Sequence, residues 1–196
     1  MRNNLPPLII GLAGEPSSGK DTVAAYLVTT YGFKHVSTGD LIRFYIAEHN
    51  LGEPTRDLLH VISNQLRTEH GPDYLAFLAL QYDVPHLVIS GLRNPSEAAL
   101  IQKKGGYILA LRASLETRYR RAKERKRIGD DISFEVFCQQ EQVEEYSSNP
   151  NAQAVATVLA MGDYEIFNDA NKEELYDRIE ELLDILTTKV LSQKNS

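Results

Sequence analysis

The segment Gly14-Glu15-Pro16-Ser17-Ser18-Gly19-Lys20-Asp21-Thr22 carries the residue types that hold phosphate. It fits the pattern G-x-x-x-x-G-K, the core of a phosphate-binding loop (P-loop). Glycines permit the tight path that turns successive backbone N–H groups inward, and Lys20 supplies a cation for β and γ phosphate oxygens. Gly14, Ser17, Ser18, Gly19, Lys20, Asp21 and Thr22 are therefore candidate nucleotide contacts. Asp21 stands where the general pattern has a Ser or Thr that binds Mg²⁺, and Thr22 follows one place later. Thr22 is a candidate metal ligand. Asp21 either holds the metal through water or favours the helix N-terminus electrostatically.

A second concentration of charge lies at Arg118–Arg127, where seven basic residues and one acid occupy ten positions. Arg118, Arg121 and Arg125 recur at i, i+3 and i+7, so a helix places them on one face. A solvated surface and a nucleic-acid patch are the competing readings of such a run. The histidines at 35, 49, 60, 70 and 86 show no metal-ligand spacing, and no Ser/His/Asp arrangement is readable.

These residues need elements to position them. A phosphate loop requires a strand before it and a helix N-terminus after it, and Leu8–Ala13 and the helical pattern Lys20–Tyr31 meet that requirement. Further strand candidates are Phe33–Val36, His86–Ser90, Tyr107–Leu111 and Tyr164–Phe167. Helical patterns cover Gly39–Asn50, Thr55–Glu69, Asp73–Gln81, Pro95–Lys104, Ser114–Arg127, Ser133–Ser147 and Asn171–Leu191. Asn171 with Glu174 predicts a capping box, and Asn94-Pro95-Ser96-Glu97 reads the same way with Pro95 at the first helical position. Short apolar runs alternating with amphipathic ones predict an α/β chain with a mostly parallel five-stranded sheet covered by helices on both faces. The expected architecture is a three-layer P-loop NTPase fold.

Composition narrows the setting. The chain has 196 residues, 42% of them hydrophobic, which suits one domain with a real core. The run Leu8–Ala13 is far shorter than the about 20 residues of a membrane span, and no cleavage site follows it. A single cysteine, Cys138, provides no disulfide framework and predicts a cytoplasmic setting. The net charge of −6 argues against a polymeric nucleic-acid partner.

Beyond the loop, Ser37-Thr38-Gly39-Asp40-Leu41-Ile42-Arg43 together with Gly14–Thr22 resembles the adenylate kinase family and its nucleoside monophosphate kinase relatives. The resemblance implies that Thr38, Asp40 and Arg43 lie at an acceptor site, with Thr38 and Arg43 on the acceptor's base or phosphate. A helix N-terminus and a guanidinium fork suit a phosphate monoester. The segment Leu87–Glu97 is similar to the strand, Arg, Pro-x-Glu stretch of deoxynucleoside monophosphate kinases and dephospho-CoA-kinase-like proteins. That likeness makes Arg93 a catalytic and acceptor-binding residue at a strand's carboxyl end, where open α/β sheets place ligands. Glu97 reads as a helix cap or as the partner holding Arg93. An aspartate that relatives carry near Ser90 or Gly91 is absent.

The same resemblance implies that Arg118 contacts ATP, and that Arg121 and Arg125 arrive with a lid and stabilise the transferring phosphoryl group. It also places Asn168 beside adenine, while a turn residue before a helix can equally be structural. The expected organisation is one kinase domain over 1–196, with an acceptor-binding insert at about 37–82 and a lid at about 114–150. Arg56 and Arg67 are candidate phosphate contacts in the insert. The activity implied is Mg²⁺-dependent transfer of the ATP γ-phosphoryl group to a small phosphate acceptor, a (deoxy)nucleoside monophosphate first. A dephospho-CoA kinase with Asp40 as base on a ribose hydroxyl is the alternative, and an ATP-binding regulatory switch with little turnover is a further one. Oligomeric state is not encoded in these motifs.

Overall fold

The computed structural model describes residues 5–125, 132–145 and 154–194. Five parallel strands, β1 (Leu8–Gly14), β2 (Lys34–Ser37), β3 (His86–Ser90), β4 (Tyr107–Arg112) and β5 (Tyr164–Phe167), form one sheet in the order β2-β3-β1-β4-β5. The "mostly parallel" expectation thus becomes entirely parallel for these strands. Side chains alternate across the sheet, and both faces are apolar. Ile10, Leu12, Val88, Leu109 and Leu111 pack on α1 (Lys20–Tyr31) and α9 (Lys172–Lys194) through Val23, Leu27, Ile179 and Leu183. Leu87, Ile89, Ile108 and Ala110 face the other way, against α5 (Pro95–Lys103) and α8 (Val155–Ala160) through Ile101 and Val158. Near-continuous apolar strands such as Leu87-Val88-Ile89 are what two covered faces demand.

A smaller core of Ile42, Ile46, Ile62, Leu66 and Leu75 joins α2 (Thr38–Glu48), α3 (Arg56–His70) and α4 (Tyr74–Ala79) into a helical insert between β2 and β3. After β4 come α6 (Leu115–Arg125) and α7 (Phe134–Glu145). Lys126 and Arg127, and the predicted loop at Ser147–Pro150, lie outside the described residues.

The helix starts follow their signals. Asn94 and Glu97 form the reciprocal capping box of α5, with Pro95 at its first position. At α9, Asn171 Oδ1 accepts from the N–H of Glu174. Helix α8 was not anticipated: Val155-Ala156-Thr157-Val158-Leu159-Ala160 is short and rich in β-branched residues. Its N-cap, Ala154, offers no side-chain acceptor. Packing of Val155, Val158 and Leu159 into the core decides that segment, overriding local preference.

Candidate active site

All five strands point the same way, so their carboxyl ends and the loops after them share one edge of the sheet. With β3 between β1 and β2, the loop after β3 must lie between the phosphate loop and the start of α2. This order brings Lys20, Arg93 and Thr38 into one region.

The phosphate loop has the backbone its motif predicts. Ser17 has φ of 60° and Gly19 of 108°, a path that turns consecutive N–H groups toward one concavity. Side chains are excluded where the loop is tightest. A Cβ on Gly14 would lie 2.5 Å from Ser18 Oγ and 2.6 Å from the Leu111 carbonyl oxygen. Lys20 Nζ donates to the carbonyls of Gly14 at 2.8 Å and Glu15 at 2.7 Å, so the cation stays over the loop. Ser17 Oγ, Ser18 Oγ and Glu15 Oε2 are buried and have no protein hydrogen-bond partner. Two orphaned hydroxyls in a nest of N–H groups fit polyphosphate oxygens.

Asp21 is exposed and Thr22 half-buried in the first turn of α1. One carboxylate and one hydroxyl suit Mg²⁺, which takes one or two protein ligands and completes its shell with substrate phosphates and water. Among the described residues no group of three or more His, Cys, Asp or Glu could hold a metal.

At the acceptor side, Ser37 caps α2 by accepting from the N–H of Asp40. Thr38 is buried and donates from Oγ1 to the Gly91 carbonyl at 2.7 Å. Gly91 has φ of 83°, and a Cβ there would lie 2.6 Å from Thr38 Oγ1. The start of α2 is therefore fastened to the loop after β3, and Thr38 spends its proton on that link. Asp40 and Arg43 form an exposed ion pair of 2.8 Å one turn above.

Ser90 Oγ lies 2.8 Å from His35 Nε2. Burial holds the His35 imidazole below its ordinary pKa, with Lys34 adding slightly, while Asp21 and Asp40 pull the other way. His35 was missed because a lone histidine in a strand carries no spacing signal. Arg93 is half-buried in the loop after β3. Its main-chain N–H donates to Glu97 Oε2 at 2.9 Å, and its carbonyl accepts from the N–H of Ala154 at 2.7 Å. Glu97 is thus both cap and holder of Arg93, through the main chain.

Several expectations change. Arg67, a candidate phosphate contact, is 2% exposed and pairs with Glu97 at 2.8 Å in the interior. Arg118, expected on ATP, is also buried: its Nε donates to the Ala113 carbonyl and its guanidinium lies 6.0 Å from the Phe137 ring centre. The i, i+3, i+7 face of α6 runs from interior to solvent, with Arg121 half-buried and Arg125 exposed. Arg121 Nη1 donates to the Asn168 carbonyl at 2.8 Å, and burial followed by Arg120 lowers its pKa. Asn168 is buried, and its amide donates to the Ser18 carbonyl at 2.8 Å. That side chain supports the phosphate loop, which a sequence reading as a base contact does not anticipate. Arg112, also missed, ends β4 with one guanidinium nitrogen 3.8 Å from Glu15 Oε1 and a bond to Glu165.

A parallel sheet, a strand-borne phosphate loop and a helical insert define a P-loop protein of the kinase-like fold. A shikimate kinase from Bacteroides thetaiotaomicron superposes with a TM-score of 0.59 at 16% identity, covering 90% of this chain and 98% of that one. The family described as "AAA domain" matches residues 13–90. A UPF0200 protein of Hyperthermus butylicus is 30% identical over 185 residues, covering 92% of this chain and 95% of its own length. A UPF0200 protein of Thermococcus onnurineus is 31% identical over 187 residues, covering 90% and 97%. The chain belongs to the UPF0200 family. No helix among the described residues is long and apolar enough to cross a membrane.

Proposed function

We propose that the protein is an ATP-dependent phosphotransferase that moves the γ-phosphoryl group to a small phosphate acceptor, a (deoxy)nucleoside monophosphate. The observation that carries this reading is the link between Thr38 and Gly91, 2.7 Å long. It joins a capped helix start to the Arg93 loop, beside the phosphate loop of the neighbouring strand.

Lys20 and the loop N–H groups bind the β and γ phosphates of the donor. Thr22, with Asp21, would hold Mg²⁺, which supplies charge neutralisation at those oxygens. Thr38, through the N-terminus of α2, and Arg43 bind the acceptor phosphate, while Arg93 reaches between acceptor and donor. Arg121 and Arg125 bring further positive charge from α6. An acceptor phosphate oxygen attacks the γ phosphorus as the bond to the β–γ bridging oxygen breaks, and ADP leaves with that electron pair. The attacking oxygen is already ionised, so no base is needed, and catalysis rests on positioning and charge.

The test is ADP release with ATP and a panel of ribo- and deoxynucleoside monophosphates and dephospho-CoA. Stimulation by one or a few monophosphates, lost in Lys20→Ala, supports the reading. Stimulation by dephospho-CoA alone transfers the acceptor role to a hydroxyl, and stimulation by none leaves a nucleotide-binding module.

A further inference from the structure

Arg67 of α3 and Glu97 of α5 form a buried ion pair. Their side chains are 1% and 0% exposed. Arg67 Nε and Nη2 both donate to Glu97 Oε1, at 3.0 and 2.8 Å. The other carboxylate oxygen, Oε2, accepts the main-chain N–H groups of Arg93 at 2.9 Å and Asn94 at 3.1 Å. The two ends of one carboxylate thus serve two different parts of the molecule. Arg67 lies near the end of α3 in the insert, and Arg93 lies in the loop between β3 and α5.

A capping glutamate normally sits near water and can rotate away from its N–H groups. Glu97 has no such freedom, because Nε and Nη2 of Arg67 hold one carboxylate oxygen while the N–H groups of Arg93 and Asn94 hold the other. We propose that Arg67 is a positioning residue, which acts through Glu97 to hold the main chain at Arg93 and so tie the setting of that arginine to the acceptor insert. The proposal rests on the phosphotransferase reading for what Arg93 does, while the mechanical link stands on the hydrogen bonds alone. Two further bonds give the loop the same character. Thr38 of α2 holds Gly91, and the N–H of Ala154, at the start of α8, holds the Arg93 carbonyl. The segment 91–94 is therefore gripped from α2, α3 and α8, and a shift of the insert is carried to Arg93.

The test is Arg67→Lys, which keeps the positive charge beside Glu97 but removes the fork. Hydrogen exchange is read at the amides of Arg93 and Asn94, along with ADP-analogue affinity and steady-state kinetics. Expected are an about tenfold loss of protection at those two amides, unchanged protection in the 14–20 loop, and analogue affinity within about twofold of the original. With a working acceptor, kcat falls about tenfold or more while KM for ATP is unchanged. Glu97→Gln is the second variant, since an amide cannot serve the fork and both N–H groups together, and the same pair of amides loses protection. Unchanged exchange at Arg93 and Asn94 in Arg67→Lys overturns the proposal. So does failure of both variants to fold, because the pair then serves the whole core. Loss of protection without any acceptor-dependent turnover in the parent protein upholds the link and overturns only the kinase reading.

Discussion

The amide nitrogen of Asn168 donates to the main-chain carbonyl of Ser18 across 2.8 Å, joining the loop after β5 to the phosphate loop. Gly19 leaves room for it: a Cβ there would lie 2.2 Å from that nitrogen. Asn168→Ala leaves a buried carbonyl without its donor, costing about 1–3 kcal/mol in loop stability. ATP and GTP affinities, read by competition with a fluorescent nucleotide, should fall by similar factors. A change in the ATP-to-GTP ratio instead assigns Asn168 to base recognition.

Arg118 and Arg125 separate packing from charge on one helix. Arg118→Ala removes a buried guanidinium from the Ala113 carbonyl and the Phe137 ring. It should cost about 1–3 kcal/mol of stability, seen as a lower urea midpoint. Arg125 is exposed at the end of described α6, so Arg125→Ala should leave the midpoint unchanged and lower kcat by about tenfold or more. Equal effects of both variants on stability contradict this division.

The Asp40–Arg43 pair distinguishes acceptor chemistries. For a phosphate acceptor, Asp40→Asn changes kcat by less than about fivefold, and Arg43→Ala raises KM for the acceptor about tenfold or more. A kcat loss of about a hundredfold or more in Asp40→Asn, with KM unchanged, identifies a hydroxyl acceptor activated by a base.

His35 makes stability depend on pH with a definite sign. Its pKa is lowered in the folded protein chiefly by burial, against the pull of Asp21 and Asp40 and with a small push from Lys34. Below the ordinary histidine value of about 6.5 the unfolded chain binds the proton more readily than the folded one. The contribution is therefore complete above that value and is lost as pH falls from it through the depressed folded pKa. Urea midpoints at pH 5 to 8 should rise with pH across this window, and His35→Gln should flatten the rise. A steeper rise in the variant contradicts the assignment.

The sequence carried the outline of the fold because its punctuation is local. Gly14–Lys20, the Asn94–Glu97 cap and the apolar runs of β1, β3 and β4 each state their structure within a few residues. The sheet order is not local, and it alone reveals why Thr38 and Gly91 meet. The backbone of the phosphate loop was legible because one motif, Gly14–Lys20, holds it together. Side-chain surroundings were not legible where burial decides them. Arg67 and Arg118 look like phosphate ligands in a basic or polar context, yet each is enclosed by partners far away or across a helix pair. His35 and Ser90 are 55 residues apart and only adjacent strands bring them together. Helix α8 depended on core packing and had no start signal to read.

In the proposed function the phosphate loop and the Thr38–Arg93 region form one site for transfer between two phosphates. The most direct measurement incubates the protein with ATP labelled at the γ position and each nucleoside monophosphate, then identifies the labelled product. Label is expected in the diphosphate of one or a few acceptors. A loss of about a hundredfold or more is expected in both Lys20→Ala and Arg93→Ala. Label appearing only as inorganic phosphate, at a rate no monophosphate alters, contradicts it.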